Sequence, residues 1–177
     1  GLINAAERSA GVWVTGTTEP GATVMVQLAG GSARPATVDA NGTWRLRFDP
    51  ADIPTGQDNL TVSATATDRA GNSTSASRGV ALDTEVRDFA YTSTGVAADG
   101  IVNGAEAASA TGLVVTGTVE AGSRVFVTLG EGAGAVTREA SVTGGTWSLR
   151  FDPADITTGE YASRITAVAT DAAQNNA

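Results

Sequence analysis

The sequence predicts an all-β protein made of two tandem β-sandwich modules, strung in an elongated, beads-on-a-string arrangement. Three observations predict it: a composition of strand and turn formers, an internal repeat, and a two-residue alternation of apolar side chains within each copy. Thr, Val and Gly are abundant in the 177 residues while long helix-favouring residues are scarce. Only 5% of residues are aromatic and there is a single Met. Cores built from this composition are thin and consist mainly of Val, Ala, Leu and Ile.

The repeat is read by laying the chain on itself. Thr43-Trp44-Arg45-Leu46-Arg47-Phe48-Asp49-Pro50-Ala51-Asp52-Ile53 returns as Thr146-Trp147-Ser148-Leu149-Arg150-Phe151-Asp152-Pro153-Ala154-Asp155-Ile156, a shift of 103 from Trp44 to Trp147. Thr15-Gly16-Thr17 returns as Thr116-Gly117-Thr118, a shift of 101 from Gly16 to Gly117. Ile3-Asn4-Ala5-Ala6-Glu7 matches Val102-Asn103-Gly104-Ala105-Glu106, and Ala66-Thr67-Asp68 matches Ala169-Thr170-Asp171. A period of about 100 residues is the size of an immunoglobulin-like sandwich.

Within the first copy, Val24, Val26 and Leu28 share one face of a strand; Val125, Val127 and Leu129 repeat them. Trp44, Leu46 and Phe48 point inward with Arg45 and Arg47 outward, and Trp147, Leu149 and Phe151 do the same in the second copy. Leu60, Val62, Ala64 and Ala66 form a further inner face. Turn signals separate the runs at Glu19-Pro20-Gly21, Ala40-Asn41-Gly42, Pro54-Thr55-Gly56 and Ala70-Gly71-Asn72. No helical period extends over a useful length. The expected domains are residues 1–84, a repeat lacking its first strand, and residues 85–177. The latter begins inside the linker and first-strand segment Asp83 to Thr92, and lacks its last strand. The reading expects flanking repeats in a longer parent.

Charge and chemistry narrow the function. The formal charge is −8, from 19 acids against 11 bases, every base an Arg. That balance argues against a nucleic-acid partner, which wants clustered cations. There is no Cys and no His, so disulfides, thiol nucleophiles, His-dependent triads and the commonest zinc sites are excluded. No stretch approaches the roughly 20 apolar residues of a membrane helix, so membrane insertion is not expected. The carboxylate pair Asp49 and Asp52 recurs as Asp152 and Asp155. A duplicated pair reads as scaffold, whereas active sites tend to be singular.

The run Asp99-Gly100-Ile101-Val102-Asn103-Gly104-Ala105-Glu106-Ala107 is followed by Val115-Thr116-Gly117-Thr118-Val119-Glu120-Ala121-Gly122 and then Gly145-Thr146-Trp147-Ser148-Leu149. With Ala66-Thr67-Asp68-Arg69-Ala70-Gly71-Asn72 in the first copy, these resemble the bacterial immunoglobulin-like extender repeats of giant adhesins exported by type I secretion, the biofilm-associated and RTX-adhesin group. The resemblance implies an extracellular module at the bacterial cell surface, repeated many times, holding a distal binding domain away from the cell. It also implies stiffening by Ca²⁺ at junctions with neighbouring repeats. The second copy departs from the pattern at Asp171-Ala172-Ala173-Gln174-Asn175, where Gln174 replaces the turn glycine.

Ca²⁺ takes six to eight oxygen ligands from carboxylates, amide side chains and carbonyls. A sandwich of this topology places Asn4, Glu7, Asp49, Asp52 and Asp83 at one pole, and Glu120 and Asp171 at the other pole of the next module, near Asp88. Asp99, Asn103 and Glu106 form the equivalent lower set of the second module. Apart from Asp52, which reads better as a cap, these are the expected calcium ligands. Each also has a plainer reading. Asp68 and Asn72 can stabilise a turn, Asp49 and Asp52 can cap one turn of 3₁₀ helix, and Glu120 can be a solvated turn residue. Trp44 and Trp147 are core; Trp13, opposite Val114 in the second copy, is either packed or a surface contact. The reading is a non-catalytic, Ca²⁺-rigidified stalk supporting adhesion and biofilm formation. Its rivals are a glycan- or protein-binding module and an accessory sandwich of a secreted hydrolase. Exposed edge strands also invite weak self-association.

Overall fold

The computed structural model describes residues 1–93, 102–109, 112–160 and 162–177. The chain divides into two units, Gly1–Glu85 and Val86–Ala177. Unit 1 contains strands β1 (Leu2–Ile3), β2 (Val12–Thr17), β3 (Thr23–Leu28), β4 (Arg34–Pro35), β5 (Thr37–Val38), β6 (Thr43–Phe48), β7 (Gln57–Thr67) and β8 (Ser73–Asp83). One short helix, α1 (Ala5–Ala10), follows β1, and a 3₁₀ turn at Pro50–Asp52 follows β6. One sheet runs β1-β8-β7-β3-β4, the other β2-β6-β5. The long hairpin β7–β8 pairs residue for residue from Gln57↔Asp83 to Thr67↔Ser73.

Unit 2 repeats the plan with β9 (Ala90–Ser93), β10 (Leu113–Thr118), β11 (Arg124–Leu129), β12 (Val136–Glu139), β13 (Ser141–Thr143), β14 (Thr146–Phe151) and β15 (Ile165–Thr170). A one-turn helix, α2 (Gly104–Ala107), precedes β10, and 3₁₀ turns lie at Gly132–Gly134 and Pro153–Asp155. Its sheets run β13-β14-β10-β9 and β12-β11-β15. The shared frame is visible in register: Gly16 stands opposite Trp44 across β2–β6, and Gly117 opposite Trp147 across β10–β14.

Alternation produces the cores. Val24, Val26 and Leu28 of β3 are buried beneath Trp44 and Phe48 of β6, with Ile53, Leu60 and Leu82 completing the cluster. In unit 2, Val125 and Val127 pack with Trp147, Leu149, Phe151 and Ala169. Leu46 is half-buried whereas its counterpart Leu149 is buried. Both cores are closed largely by Val and Ala, as the scarcity of aromatics requires.

The two short helices depart from the sequence expectation of strands and turns alone. Asn4 is the N-cap of α1: its Oδ1 accepts from the Glu7 amide at 2.9 Å while Glu7 Oε2 accepts from the Asn4 amide at 3.1 Å. This reciprocal capping box satisfies two amides that a helix end leaves without partners. Gly11 then stops the helix with φ 77°, donating its amide to the Arg8 carbonyl at 3.1 Å.

Candidate functional site

Several of the polar residues expected at the module poles have hydrogen-bond or ion-pair partners within their own unit. In unit 1, Arg8 Nε of α1 donates to the carbonyls of Ile53 and Pro54 at 2.9 and 3.0 Å, tying the helix to the loop after β6. The same loop reaches the end of β8, where the Gly56 amide donates to Thr84 Oγ1 at 2.8 Å beside Asp83. Asn4, Glu7, Asp49, Asp52 and Asp83 therefore lie on elements that meet at one end of the unit. Asn4 and Glu7 cap α1. Asp49 pairs with Arg47, and Asp52 pairs with Arg34.

The last two pairs recur in unit 2. Arg138 Nη2 lies 2.6 Å from Asp155 Oδ1, and Arg150 Nη2 lies 3.0 Å from Asp152 Oδ1. Both 3₁₀ turns also close through an acid: the Asp49 amide donates to Asp52 Oδ2, and the Asp152 amide to Asp155 Oδ2, each at 2.9 Å. The duplicated Asp-Pro-Ala-Asp motif is thus a latch, in which the second Asp holds an amide of its own turn and an Arg from a distant strand. The amide of Asp49, then Arg34, holds the Asp52 carboxyl below its ordinary value. Arg138, then the amide of Asp152, does the same for Asp155. A carboxyl with a lowered folded pKa contributes stability that is complete above its unfolded value, about 3.9 for Asp, and is lost as pH falls through the folded value. Stability is therefore expected to hold from neutral pH down to about 4 and to decline below it. Chemical denaturation across that range should show the decline flattened in the double variant Asp52→Asn, Asp155→Asn.

In unit 2 the loop before β11 and the start of β9 meet. Glu120 Oε1 accepts from the Arg87 amide at 2.9 Å, and the Glu120 amide donates to the Arg87 carbonyl at 3.0 Å. Next to it, Asp88 takes φ 57° while its carbonyl accepts from Thr118 Oγ1 at 2.6 Å. Asp171 follows β15 at the end where β11 begins. It is buried, and its two carboxylate oxygens accept from the amide and the Nδ2 of Asn175 at 2.8 and 2.7 Å. Asp68 and Asn72 make the same two bonds at 2.8 Å each in unit 1. Gly71 takes φ 90° in that loop and Gln174 takes φ 70° in its counterpart, so the Asp–Asn clasp sets the conformation with or without glycine. Asn103 caps α2 by accepting the Ala105 amide at 3.0 Å. Asp99 lies outside the described residues, as does the side chain of Glu106.

Among the described residues, no three carboxylates converge as a metal cage requires. Oxygens of Asn4, Glu7, Asp49, Glu120 and Asp171 accept from amides, an Asn side chain or an Arg within their own unit. Sequence reasoning missed the Arg34–Asp52 and Arg138–Asp155 pairs. The signal available was the joint recurrence of an Arg near the fourth strand and the second Asp of the motif. Trp13, open to either reading, is 56% exposed with the Arg45 guanidinium 5.5 Å from its ring centroid. Among the described residues, no helix is long and apolar enough to cross a membrane.

Residues 4–83 match the family model of the bacterial Ig domain. The first unit is a bacterial Ig domain. The second unit repeats parts of that sequence, and its β10–β14 and β11–β15 pairings repeat β2–β6 and β3–β7. The chain is similar to a Ca²⁺-stabilized adhesin with which an Antarctic bacterium reaches out and binds ice, at 27% identity and a TM-score of 0.54. That match covers 99% of this chain and 43% of the adhesin structure. A 1.5-MDa bacterial ice-binding adhesin, described for its host cell surface retention, shares the fold at 22% identity and a TM-score of 0.54, over 99% of this chain and 57% of that one. The chain thus spans about half the length of these structures. Comparison with curated protein sequences finds no match.

Proposed function

We propose that the chain is a non-catalytic extender of a bacterial cell-surface adhesin, part of a stalk of like modules that carries a binding domain away from the cell. The observation that carries this reading is duplication. The core, the Asp-Pro-Ala-Asp latch and the Asp–Asn clasp each occur once per unit, so the polar residues that stand out belong to the module and not to a single site. A stalk needs this: every unit repeats the same fold, and the length comes from their number.

Calcium is the ligand to test first, because the related adhesin is described as Ca²⁺-stabilized. Within each unit several of these carboxylates already hold amides, an Asn or an Arg. The expected effect is therefore on the stiffness of the chain, with the fold of a unit unchanged. Small-angle X-ray scattering of the chain in about 1 mM Ca²⁺, the affinity range of extracellular calcium modules, should give a longer maximum dimension and a narrower ensemble than in chelator. Circular dichroism should be the same in both. An unchanged scattering profile would remove calcium stiffening from the proposal, and Trp13 would become the first residue to titrate against glycans and proteins.

A further inference from the structure

The Asp-Pro-Ala-Asp latch and the Asp–Asn clasp occur in both units, but one exposed feature belongs to unit 1 alone. Alternation along β2 turns Val12 and Val14 towards the core and Trp13 and Thr15 away from it. Across the β2–β6 ladder Trp13 stands opposite Arg47 and Thr15 opposite Arg45. Trp13 and Arg45 are therefore diagonal neighbours on the outward face. The Arg45 guanidinium lies 5.5 Å from the centroid of an indole that is 56% exposed. That distance is within the range of a cation–π contact, which holds ring and cation side by side. In unit 2 the equivalent positions on β10 and β14 are Val114 and Ser148.

The outward face is set by the β2–β6 pairing and not by what flanks β2. A strand beside β2 lies in the plane of its sheet, as β9 does beside β10, and Val114 on the same outward face is still 36% exposed. Charge singles out the same place. The whole chain carries −8, yet strands β2, β5 and β6 contain two Arg and no carboxylate. Arg47 is engaged, pairing with Asp49 and donating to the Ala10 carbonyl at 2.6 Å. Arg45 has no ion pair among the described residues. It stands as a cation beside an open indole in an acidic protein.

We propose that Trp13 and Arg45 form a binding site for an acidic polysaccharide. The apolar face of a pyranose ring packs on the indole. The carboxylate of a uronate accepts from the Arg45 guanidinium, whose paired N–H groups match its two oxygens. Trp supplies a large, rigid contact, and Trp and Arg are the residues on which binding energy most often concentrates. Negative charge over the rest of the chain repels a polyanion, so binding is confined to this face. A stalk module can carry such a face on its flank with no change to its fold.

The test is calorimetric titration of the full chain with tetragalacturonate, its fully methyl-esterified form and tripolyphosphate, with tryptophan emission followed in parallel. The first probe supplies ring and charge, the second the ring alone, the third charge alone. Saturable binding is expected for tetragalacturonate only, and added salt should weaken it. Trp13→Val and Arg45→Ser place in unit 1 the residues that unit 2 already holds, so both variants should keep the parent's circular dichroism spectrum. Each should bind tetragalacturonate about tenfold more weakly or worse. Should a variant misfold, the three probes on the parent chain decide. The proposal is overturned if the chain shows no saturable binding at millimolar tetragalacturonate, or if either folded variant binds as the parent does. It is equally overturned if tripolyphosphate binds as tightly, which leaves only a charge effect, or if the esterified sugar does, which removes Arg45 from recognition.

Discussion

Trp147→Ala is expected to remove about 3–5 kcal/mol from unit 2, the cost of emptying a buried aromatic site. The ring has no exposed surface and is faced by Phe89 and Tyr91, and its Nε1 donates to the Thr118 carbonyl at 3.1 Å. Truncation leaves a cavity beneath β9 and takes away the donor to that carbonyl. A domain of this size is typically stable by about 5–15 kcal/mol, so the variant should lose much or all of the unit 2 unfolding transition. Trp44→Ala should cost less, towards the lower end of the range, because part of that ring's surface is already in water. Denaturant unfolding of both variants checks the order. A cost below about 1 kcal/mol for Trp147→Ala would mean that the ring is not packed as described.

The second large effect is expected at Gly117. This glycine has no need of a left-handed backbone; what it supplies is space. A side chain there would place its Cβ 2.1 Å from the Ala90 carbonyl oxygen and 2.3 Å from Trp147 Cε2. Neither neighbour can yield cheaply, because one is backbone and the other a buried ring. Gly117→Val should therefore push β9 off β10, costing on the order of 3 kcal/mol through overpacking and lost strand pairing. The readout that separates this from general destabilisation is tryptophan emission. With β9 displaced, Trp147 should move to the red and become accessible to a soluble quencher before unit 2 unfolds. Emission identical to that of the parent chain would count against the displacement.

The sheets were legible in the sequence because a half-buried strand writes its geometry every second residue. Val24, Val26 and Leu28, or Trp147, Leu149 and Phe151, announce an inner face without any knowledge of partners. Helix α1 was not legible by period, since six residues hold less than two turns. Its signal is instead Asn4 with Glu7 three positions on, the reciprocal cap. Read only for their oxygens, those two residues look like calcium ligands. The Arg34–Asp52 pair joins strand β4 to the turn after β6, and a contact between separate elements leaves no local periodicity. The Asp–Asn clasps were readable as turn chemistry; what the sequence could not convey is that Asn175 takes both oxygens of Asp171. The unequal cover over the two Trp rings depends on where β9 packs, which no pattern within β9 itself reveals.

The arginine latches bear on how the chain would survive outside a cell. All eleven basic residues are Arg, so proteases that cut after Lys find no site at all. Arg34, Arg47, Arg124, Arg138 and Arg150 are held in ion pairs. A protease that cuts after Arg must draw an extended stretch of backbone and the basic side chain into its cleft, which an Arg clamped to a carboxylate resists until the strand opens. The same residues that close the 3₁₀ turns thereby withhold part of the cleavage sites, and the rate of digestion becomes a measure of how often each unit opens.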